Sequence, residues 1–516
     1  MKRIPLSTQC AAVKHMLSML LAVLFITGAI QSVQAQVLYG SLVGRVEDQS
    51  GAVLPGARIT VTNKATGQQR EAVADDSGAY AFRDLQVGTY DLNITQNGFK
   101  SYTKANVLIS LNTVVREDVQ MSVGGASETV NITAAAPALQ TDRADVSNQI
   151  DKAQITNLPI GAGRNFQQLY KLIPGASAPA DAHSDAGNPQ RALVTNFNGA
   201  SFSNNNTRLD GATVSYPWLP HIVAYVPPQD AVETVNIVTN SFDAEQGMAG
   251  GAAVNVQIKS GTNQFHGSAY EFLRNSVFDS NNFFENRAGR DLGSFKRSQF
   301  GGHATGPIIK NKTFFMGSYE GLRARQFATR ITTVPTIEQR NGDFSKTLNQ
   351  AGALIRIFNP FTTRVNPANT AQSIRDQFTD NKIPTNLMDP VALNILKYFP
   401  LPNQPGDANT FANNYAASGS TETNLDNYDF RIDHRISERQ TFFARYSHRY
   451  TEDVPLQSFP DSLTIAEGRV IQENRARNFV AEYNNTLSPT KVWTSRRKRS
   501  GRTQPAPCSC CPKARA

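Results

Sequence analysis

The chain has 516 residues, enough for two or three domains that each bury a core. Its formal net charge of +9 is concentrated at the two ends: residues 1–35 contribute three positive charges and residues 495–516 contribute seven, which leaves residues 36–494 at −1. A body this close to neutral lacks the basic surface that binds DNA or RNA, so no nucleic-acid partner is expected.

Residues 1–35 have the composition of a secretory signal peptide. Basic residues precede an uncharged apolar run over residues 16–30, and small residues lead to an expected cleavage after Ala35. No later stretch approaches 18 uninterrupted apolar residues, so a membrane-spanning part would have to be a β-barrel.

The four cysteines lie at the same two ends of the chain. Cys10 belongs to the leader, and Cys508, Cys510 and Cys511 lie among the last nine residues. The exported body therefore needs no disulfide framework. The Cys-x-Cys-Cys motif has no His or further Cys at ligand spacing, so we predict no metal site and no cofactor.

Residues 36–124 alternate short β-type runs with turn residues, which predicts a small antiparallel β-sandwich. Four motifs resemble the carboxypeptidase-regulatory-like domain, a transthyretin-like sandwich grouped with carbohydrate-binding-like folds: Gly44-Arg45-Val46, Leu54-Pro55-Gly56-Ala57, Asp76-Ser77-Gly78-Ala79-Tyr80 and Leu85-Gln86-Val87-Gly88-Thr89-Tyr90. No peptidase activity follows, because none of the seven histidines begins a His-x-x-Glu metal motif. Sugar binding and a spacer role both stay open.

Residues 128 to about 250 are rich in Ala, Asn, Gly and Thr and contain one predicted helix. Phe166, Leu169, Tyr170 and Ile173 fall at helical spacing, and Pro174-Gly175 ends the run. A single apolar face of this kind is expected to pack against a sheet.

After about residue 250 the pattern becomes that of a β-barrel. The candidate strands cover residues 252–260, 264–274, 296–306, 312–323, 426–436, 440–451 and 473–487. Short turns alternate with long connections over 275–295, 324–425 and 452–472, as in outer-membrane barrels. In the strongest strand, Tyr428, Phe430 and Ile432 alternate with polar residues, which predicts aromatic side chains towards lipid and charges in the lumen.

Further motifs resemble the plug of TonB-dependent receptors: Leu158-Pro159, Gly163-Arg164-Asn165-Phe166, Leu172-Ile173-Pro174-Gly175, Phe197-Asn198-Gly199, Asn204-Asn205-Asn206 and Leu209-Asp210-Gly211. The runs Val232-Glu233-Thr234-Val235, Ala244-Glu245-Gln246-Gly247 and Lys259 to Ser268 are similar to the plug-to-barrel junction of the Oar-like branch. The predicted fold is therefore mainly β: an N-terminal β-sandwich, an α/β plug over residues 125–260, then the first strands of an incomplete transmembrane antiparallel β-barrel over residues 261–494.

The resemblance implies an outer-membrane receptor or transporter that takes up an unidentified small ligand: a siderophore, an oligosaccharide or a peptide. It implies two further partners, outer-membrane lipid and a TonB-type energy-coupling protein that pairs with a short extended segment. The segment Glu128-Thr129-Val130-Asn131-Ile132-Thr133-Ala134 is similar to such a TonB box, with an ordinary linker strand as the alternative.

Two further expectations concern the end of the chain and the other classes of function. Barrels of this family have about 22 strands, more than the sequence supplies, and residues 495–516 form a basic Cys/Pro-rich tail without alternation. A truncated or frameshifted copy that does not transport would explain both. The alternative function is a surface carbohydrate-binding or adhesion protein anchored by the barrel. No catalytic residues are predicted, because neither a Gly-x-Ser-x-Gly elbow nor a phosphate-binding loop is present.

Overall fold

The structure is a computed structural model that describes residues 38–124, 129–132, 142–161, 163–182, 188, 191–216, 219–241, 246–247, 249–287, 289, 291–459, 471–488 and 491–503. The predicted signal peptide, its cleavage site and the Cys-x-Cys-Cys motif lie outside these residues. Within them, no helix is long and apolar enough to cross a membrane.

The N-terminal part forms two facing sheets, which confirms the predicted sandwich. Its strands are β1 (Gly40–Asp48), β2 (Arg58–Asn63), β3 (Gln69–Val73), β4 (Ala79–Leu85), β5 (Gly88–Thr95), β6 (Ser101–Ile109), β7 (Val114–Arg116), β8 (Val119–Met121) and β9 (Thr129–Ile132). One sheet has the order β4-β1-β7, with β8 also paired to β1, and the other has the order β3-β2-β5-β6-β9. Alternate residues such as Leu42, Ile59 and Leu92 are fully buried between the sheets, as strand periodicity requires.

The residues between the sandwich and the long C-terminal strands form an α/β unit, which we call the plug. Its strands are β10 (Val146–Ile150), β11 (Ala180–Asp181), β12 (Leu193–Val194), β13 (Asn206–Leu209), β14 (Ala212–Thr213), β15 (Ser215–Tyr216), β16 (Leu219–Val223), β17 (Val232–Asn240) and β18 (Ala253–Ile258). The main sheet has the order β10-β17-β18-β13-β14. Helix α1 (Lys152–Asn157) packs against it and begins with a capping box formed by Asp151 and Gln154.

Two predictions about this region need correction. The predicted helix at residues 166–173 is a 3₁₀ helix over Phe166–Leu172, which still buries Phe166, Leu169 and Tyr170 against the sheet. The strand predicted at 252–260 is β18, which lies in the middle of the plug sheet; its place among the candidate barrel strands is wrong, although it falls within the residues 125–260 predicted for the plug. Its residues are buried on both faces, so the apolar pattern could not distinguish a plug strand from a barrel strand.

The C-terminal part is one antiparallel sheet of long strands. They are β19 (His266–Asn275), β20 (Phe295–Ile309), β21 (Thr313–Thr332), β24 (Tyr415–Arg435), β25 (Gln440–Val454), β26 (Gln472–Ser488) and β27 (Lys491–Thr503). They pair in the order β19-β20-β21-β24-β25-β26-β27, and the described part of the sheet does not close into a cylinder. The remaining six predicted strands are all confirmed.

One connection in this sheet, residues 333–414, has structure of its own. It contains the hairpin β22 (Arg364–Asn366) and β23 (Asn369–Ile374), with helices α3 (Ile337–Arg340) and α4 (Pro390–Leu396). Helix α2 (Phe283–Arg287) lies in the connection between β19 and β20. Single-turn 3₁₀ helices cover Phe202–Asn204, Gln229–Ala231, Ser276–Phe278, Pro360–Thr362, Thr379–Asn381 and Thr385–Leu387. We call the end of the sheet with these long connections the loop end and the opposite end the turn end.

The long strands have the predicted two faces. On β24, Tyr428, Phe430 and Ile432 are 36%, 54% and 48% exposed on the face turned away from the plug, whereas Asp429 and Arg431 are buried against the plug. On β25, Tyr446 faces outward, and Arg445 and Ser447 face inward. The sheet therefore wraps an apolar outer surface around a polar interior that holds the plug.

The predicted start of the irregular tail at residue 495 is wrong. Strand β27 continues to Thr503 in register with β26, with Arg496 opposite Glu482 and Arg497 opposite Ala481. Arg496 forms an ion pair with the buried Glu482 and donates a hydrogen bond to the plug at Gly211 O, 3.2 Å away. Backbone pairing and this buried partner extend the strand although its residues do not alternate.

Candidate ligand cavity and coupling elements

A cavity of about 920 Å³ lies at the loop end, between the plug and the inner face of the long sheet. Plug loops around residues 163–168, 188–193 and 226–228 form its floor, and β20, β21, β24 and β25 form its wall. Its lining combines apolar and polar side chains, including Arg164, Arg191, Arg297, Glu320, Leu322, Glu422, Asn427, Arg449 and Asp453. We call it the outer cavity.

The plug loops of the outer cavity are fixed by side chains that bond to backbone. Asn165 caps the 3₁₀ helix, because its Oδ1 accepts from the Gln167 N–H at 3.0 Å, and its Nδ2 donates to Arg191 O at 2.9 Å. Asn188 Oδ1 accepts from the Ala192 N–H at 3.0 Å. Asn165 and Asn188 thus set the cavity floor through turn chemistry rather than through packing alone.

Arg164 joins the plug to the first long strand. It forms an ion pair with Asp230, and its guanidinium lies 4.4 Å and 4.3 Å from the ring centroids of Tyr270 and Phe272 on β19. Tyr270 Oη also donates to Glu320 at 2.9 Å. Arg164 therefore holds the plug against β19, and the Asp230 carboxylate already neutralises its charge.

Two other arginines of the outer cavity lack such a partner. Arg449 is 5% exposed, and its Nε donates to Thr451 Oγ1 at 3.5 Å; Arg297 Nη2 donates to Gln299 Oε1 at 2.8 Å. Among the described residues, neither has a carboxylate within 4.0 Å, whereas Arg191 has Asp453 at 3.9 Å. A buried guanidinium without a carboxylate favours an anionic group in the adjoining space.

A second cluster, the Asp210 cluster, lies beneath the outer cavity and links plug to sheet. The β13–β14 hairpin turns at Asp210-Gly211, both with positive φ (46° and 69°), as a two-residue type I′ turn requires. This turn places the fully buried Asp210 carboxylate 3.1 Å from Arg431 Nη1 and 2.6 Å from Arg445 Nε. Arg431 also pairs with Asp433 at 2.8 Å.

Asp429 extends the contact between plug and sheet. It accepts from Tyr225 Oη of the plug at 2.8 Å, from Ser447 at 2.5 Å and from Ser318 at 3.3 Å. Burial, together with the Asp429 charge, raises the pKa of Tyr225 well above its ordinary value. Tyr225 therefore stays protonated and donates this hydrogen bond at any physiological pH.

The TonB-box candidate lies between the sandwich and the plug in the chain. Thr129–Ile132 form strand β9, which pairs in parallel with β6 of the sandwich. Glu128, Thr133 and Ala134 lie outside the described residues. The structure thus gives the candidate an extended backbone, which is the conformation that strand addition needs.

The sandwich contacts the sheet at the turn end, far from the outer cavity. Tyr39 Oη donates to Glu482 Oε1 at 2.6 Å, Arg70 Nη2 donates to Thr486 Oγ1 at 3.0 Å, and the Asn263 N–H donates to Ala65 O at 2.9 Å. At this contact, burial raises the pKa of Asp84 to about 7; Arg70 opposes the shift and Glu482 adds to it.

Sequence reasoning identified some of these residues and missed the role of others. Asp210, Arg164 and Arg449 belong to quoted motifs or strands. The ion pairs of Asp210 and Arg164, and the cavity positions of Arg164 and Arg449, depend on segments far apart in the chain. Arg297 had no sequence signal beyond its position in a strand. Among the described residues, no group of three or more His, Cys, Asp or Glu could hold a metal ion.

Comparison with known proteins identifies two domains by their family models. Residues 257–505 match the outer membrane beta barrel domain, and residues 41–122 match the carboxypeptidase regulatory-like domain. The TonB-dependent transporter Oar of Myxococcus xanthus is 26% identical over 319 residues, which cover 58% of this chain and 29% of that protein. The chain thus spans less than a third of the length of this curated relative.

Solved structures of outer-membrane receptors are also similar. The siderophore receptor PirA from Acinetobacter baumannii matches with 13% identity and a TM-score of 0.34, over 66% of this chain and 38% of PirA. The transporter YddB from Escherichia coli matches with 12% identity and a TM-score of 0.40, over 66% of this chain and 37% of YddB. With the family models, the sequence relationship to Oar places the chain in the outer membrane.

Proposed function

We propose that this outer-membrane protein, a relative of the TonB-dependent transporter Oar, is the receptor and plug part of an energised importer. The observation that carries the proposal is the plug held inside an antiparallel sheet, with the outer cavity above it and a strand-forming segment before it in the chain. Family members place the loop end outside the cell and the turn end in the periplasm. The ligand would therefore bind on the outer side of the plug, and the energy-coupling protein would pull from its periplasmic side.

The ligand of the outer cavity carries an acidic group in this proposal. Arg297 and Arg449 supply guanidinium donors that have no carboxylate partner among the described residues, and the apolar part of the lining would contact the rest of the ligand. Siderophores, acidic oligosaccharides and peptides all fit this description. A guanidinium in a confined site contributes more to the binding free energy of an anion than an exposed guanidinium does, because water screens its charge less.

The coupling segment in this proposal is Glu128–Ala134, with a TonB-type protein as its periplasmic partner and outer-membrane lipid around the sheet. Strand addition needs an extended segment with a row of backbone groups available for pairing. The β9 backbone meets the first requirement. Force applied there reaches the plug through β10, which pairs with β17 of the plug sheet.

The test is made in a full-length relative that supports measurable uptake. Proline at the positions of Val130 and Ile132 removes two backbone donors, so we expect uptake to fall to background while surface expression is unchanged. Alanine at the position of Asn131 is the matched control, because it changes a side chain and keeps the backbone donor. Unchanged uptake in the proline variant, with loss of attachment to surface glycans, would instead support an adhesion protein anchored by the barrel.

A further inference from the structure

Strand β9 is the edge strand of a sandwich sheet rather than a loose linker. It pairs in parallel with β6, with Ser101 opposite Thr129 and Thr103 opposite Asn131, and it stands last in the order β3-β2-β5-β6-β9. Among the described residues, no strand pairs with its other side. Four residues of the TonB-box candidate are thus held in extended form by the N-terminal domain.

Both flanks of this segment are also tied to the sandwich. On the upstream side, Val123 forms a β-bridge with Phe99, and the Gly124 N–H donates to Gly98 O at 3.1 Å. On the downstream side, Arg116 Nε donates to Asp142 Oδ2 at 2.8 Å. Arg143 Nη1 then donates to Asn112 Oδ1 at 3.0 Å. The nearest described residues on both sides of the segment therefore contact the same domain that its strand joins.

A paired edge strand still offers half of its backbone groups. Successive residues of a strand direct their N–H and C=O groups to alternate sides, so pairing with β6 occupies one side of β9 and leaves the other side for a further strand. A partner that binds there would continue the sandwich sheet, and it would find the segment already extended. Ordering a flexible segment on binding costs conformational entropy. A segment that is already held as a strand avoids this cost and binds its partner more tightly.

We infer that the sandwich is a presentation platform, and that the TonB-type partner adds its strand to the free edge of β9 while β9 stays paired with β6. This inference rests on the proposed coupling role of Glu128–Ala134. It assigns the carboxypeptidase-regulatory-like domain a role in partner binding instead of sugar binding. A pull from the periplasm would then load the sandwich first, and the plug would follow through β10.

The inference is tested by locking β9 onto β6. The mature chain, with Cys508, Cys510 and Cys511 replaced by Ser, carries Thr103→Cys with Asn131→Cys, register partners of neighbouring strands within the Cα separation that a disulfide spans. Ser101→Cys with Thr129→Cys is a second lock for the case in which the first fails to fold. Each single-cysteine variant is a control. The probe is the purified periplasmic C-terminal domain of a TonB protein from the same genome.

The presentation model predicts that oxidised and reduced locks bind this probe with dissociation constants within about threefold of each other. In hydrogen exchange, the β6 amides stay protected in the complex. Binding that weakens more than about tenfold on oxidation and returns with reductant would show that TonB displaces β6; this outcome overturns the inference and leaves the proposed function standing. Absence of binding in both redox states would overturn the coupling role itself and the inference with it.

Discussion

The Asp210 cluster gives the sharpest prediction about how the plug is held. Asp210→Asn removes one negative charge and keeps the turn, because Asn adopts positive φ at least as readily as Asp in a type I′ turn. The substitution therefore isolates the electrostatic contribution of a carboxylate that is fully buried between Arg431 and Arg445.

The magnitude follows from what each arginine keeps. Arg431 retains Asp433 at 2.8 Å, whereas Arg445 loses its direct carboxylate and keeps Asn478 at 2.6 Å as a neutral partner. Breaking a buried ion pair by removing one partner costs about 3–5 kcal/mol. We expect about 3 kcal/mol here, the low end of that range, because Asp429 stays near Arg445 through Ser447.

The assay is pulse proteolysis of the detergent-folded chain across a urea titration, with loss of the plug fragments as the readout. For a urea dependence of about 1–3 kcal/mol/M, the midpoint should fall by about 1–3 M. Asp433→Asn is the matched control: Arg431 keeps Asp210 at 3.1 Å, so the midpoint should fall by no more than about half as much. An Asp210→Asn shift below about 0.3 M would refute the view that this ion pair holds the plug.

Three further changes test other parts of the structure. Arg449→Gln should weaken binding of anionic probes such as citrate about tenfold or more in calorimetry, with binding of a neutral saccharide unchanged, because a charged hydrogen bond contributes about 1.5–3 kcal/mol; equal effects on both probes would contradict it. Arg164→Ala should lower the same urea midpoint, since the plug loses an ion pair and contacts to two rings worth together about 2 kcal/mol. An unchanged midpoint would argue against a stabilising contact between Arg164 and β19. Burial raises the pKa of Asp84 to about 7, above its unfolded value, so the folded state binds the extra proton and stability falls as pH rises from about 4 to 7. Asp84→Asn should remove this pH dependence of the unfolding free energy, measured by urea titration between pH 5 and pH 8. A pH dependence that remains would show that another group titrates.

The fold was largely predictable because strands with two different faces leave a periodic record. Tyr428, Phe430 and Ile432 alternate with buried polar residues, and the strand predicted at 426–436 is the second half of β24. Strand β18 was counted among the barrel strands because its residues are buried on both faces, and their apolar pattern fits a strand of either domain. Strand β27 was not predicted at all, because a buried partner, Glu482, supports Arg496 in a strand that has no periodic pattern.

The functional site was less predictable than the fold. The Asp210-Gly211 turn has a strong local signal, but its partner Arg431 lies 221 residues away, and only the barrel register brings the two together. The outer cavity depends in the same way on loops of the plug facing strands of the sheet. The TonB-box candidate could be located from its motif, whereas its pairing with β6 depends on the fold of the preceding domain.

The central claim is that the Thr129–Ile132 strand receives a TonB-type protein, and site-specific photocrosslinking in cells tests it most directly. A photoreactive amino acid replaces Val130, or Val73 as the control on β3 at the opposite edge of the same sheet, in a full-length relative. The account predicts a covalent TonB adduct from position 130 and none from position 73. No adduct from position 130, or equal adducts from both positions, would contradict it.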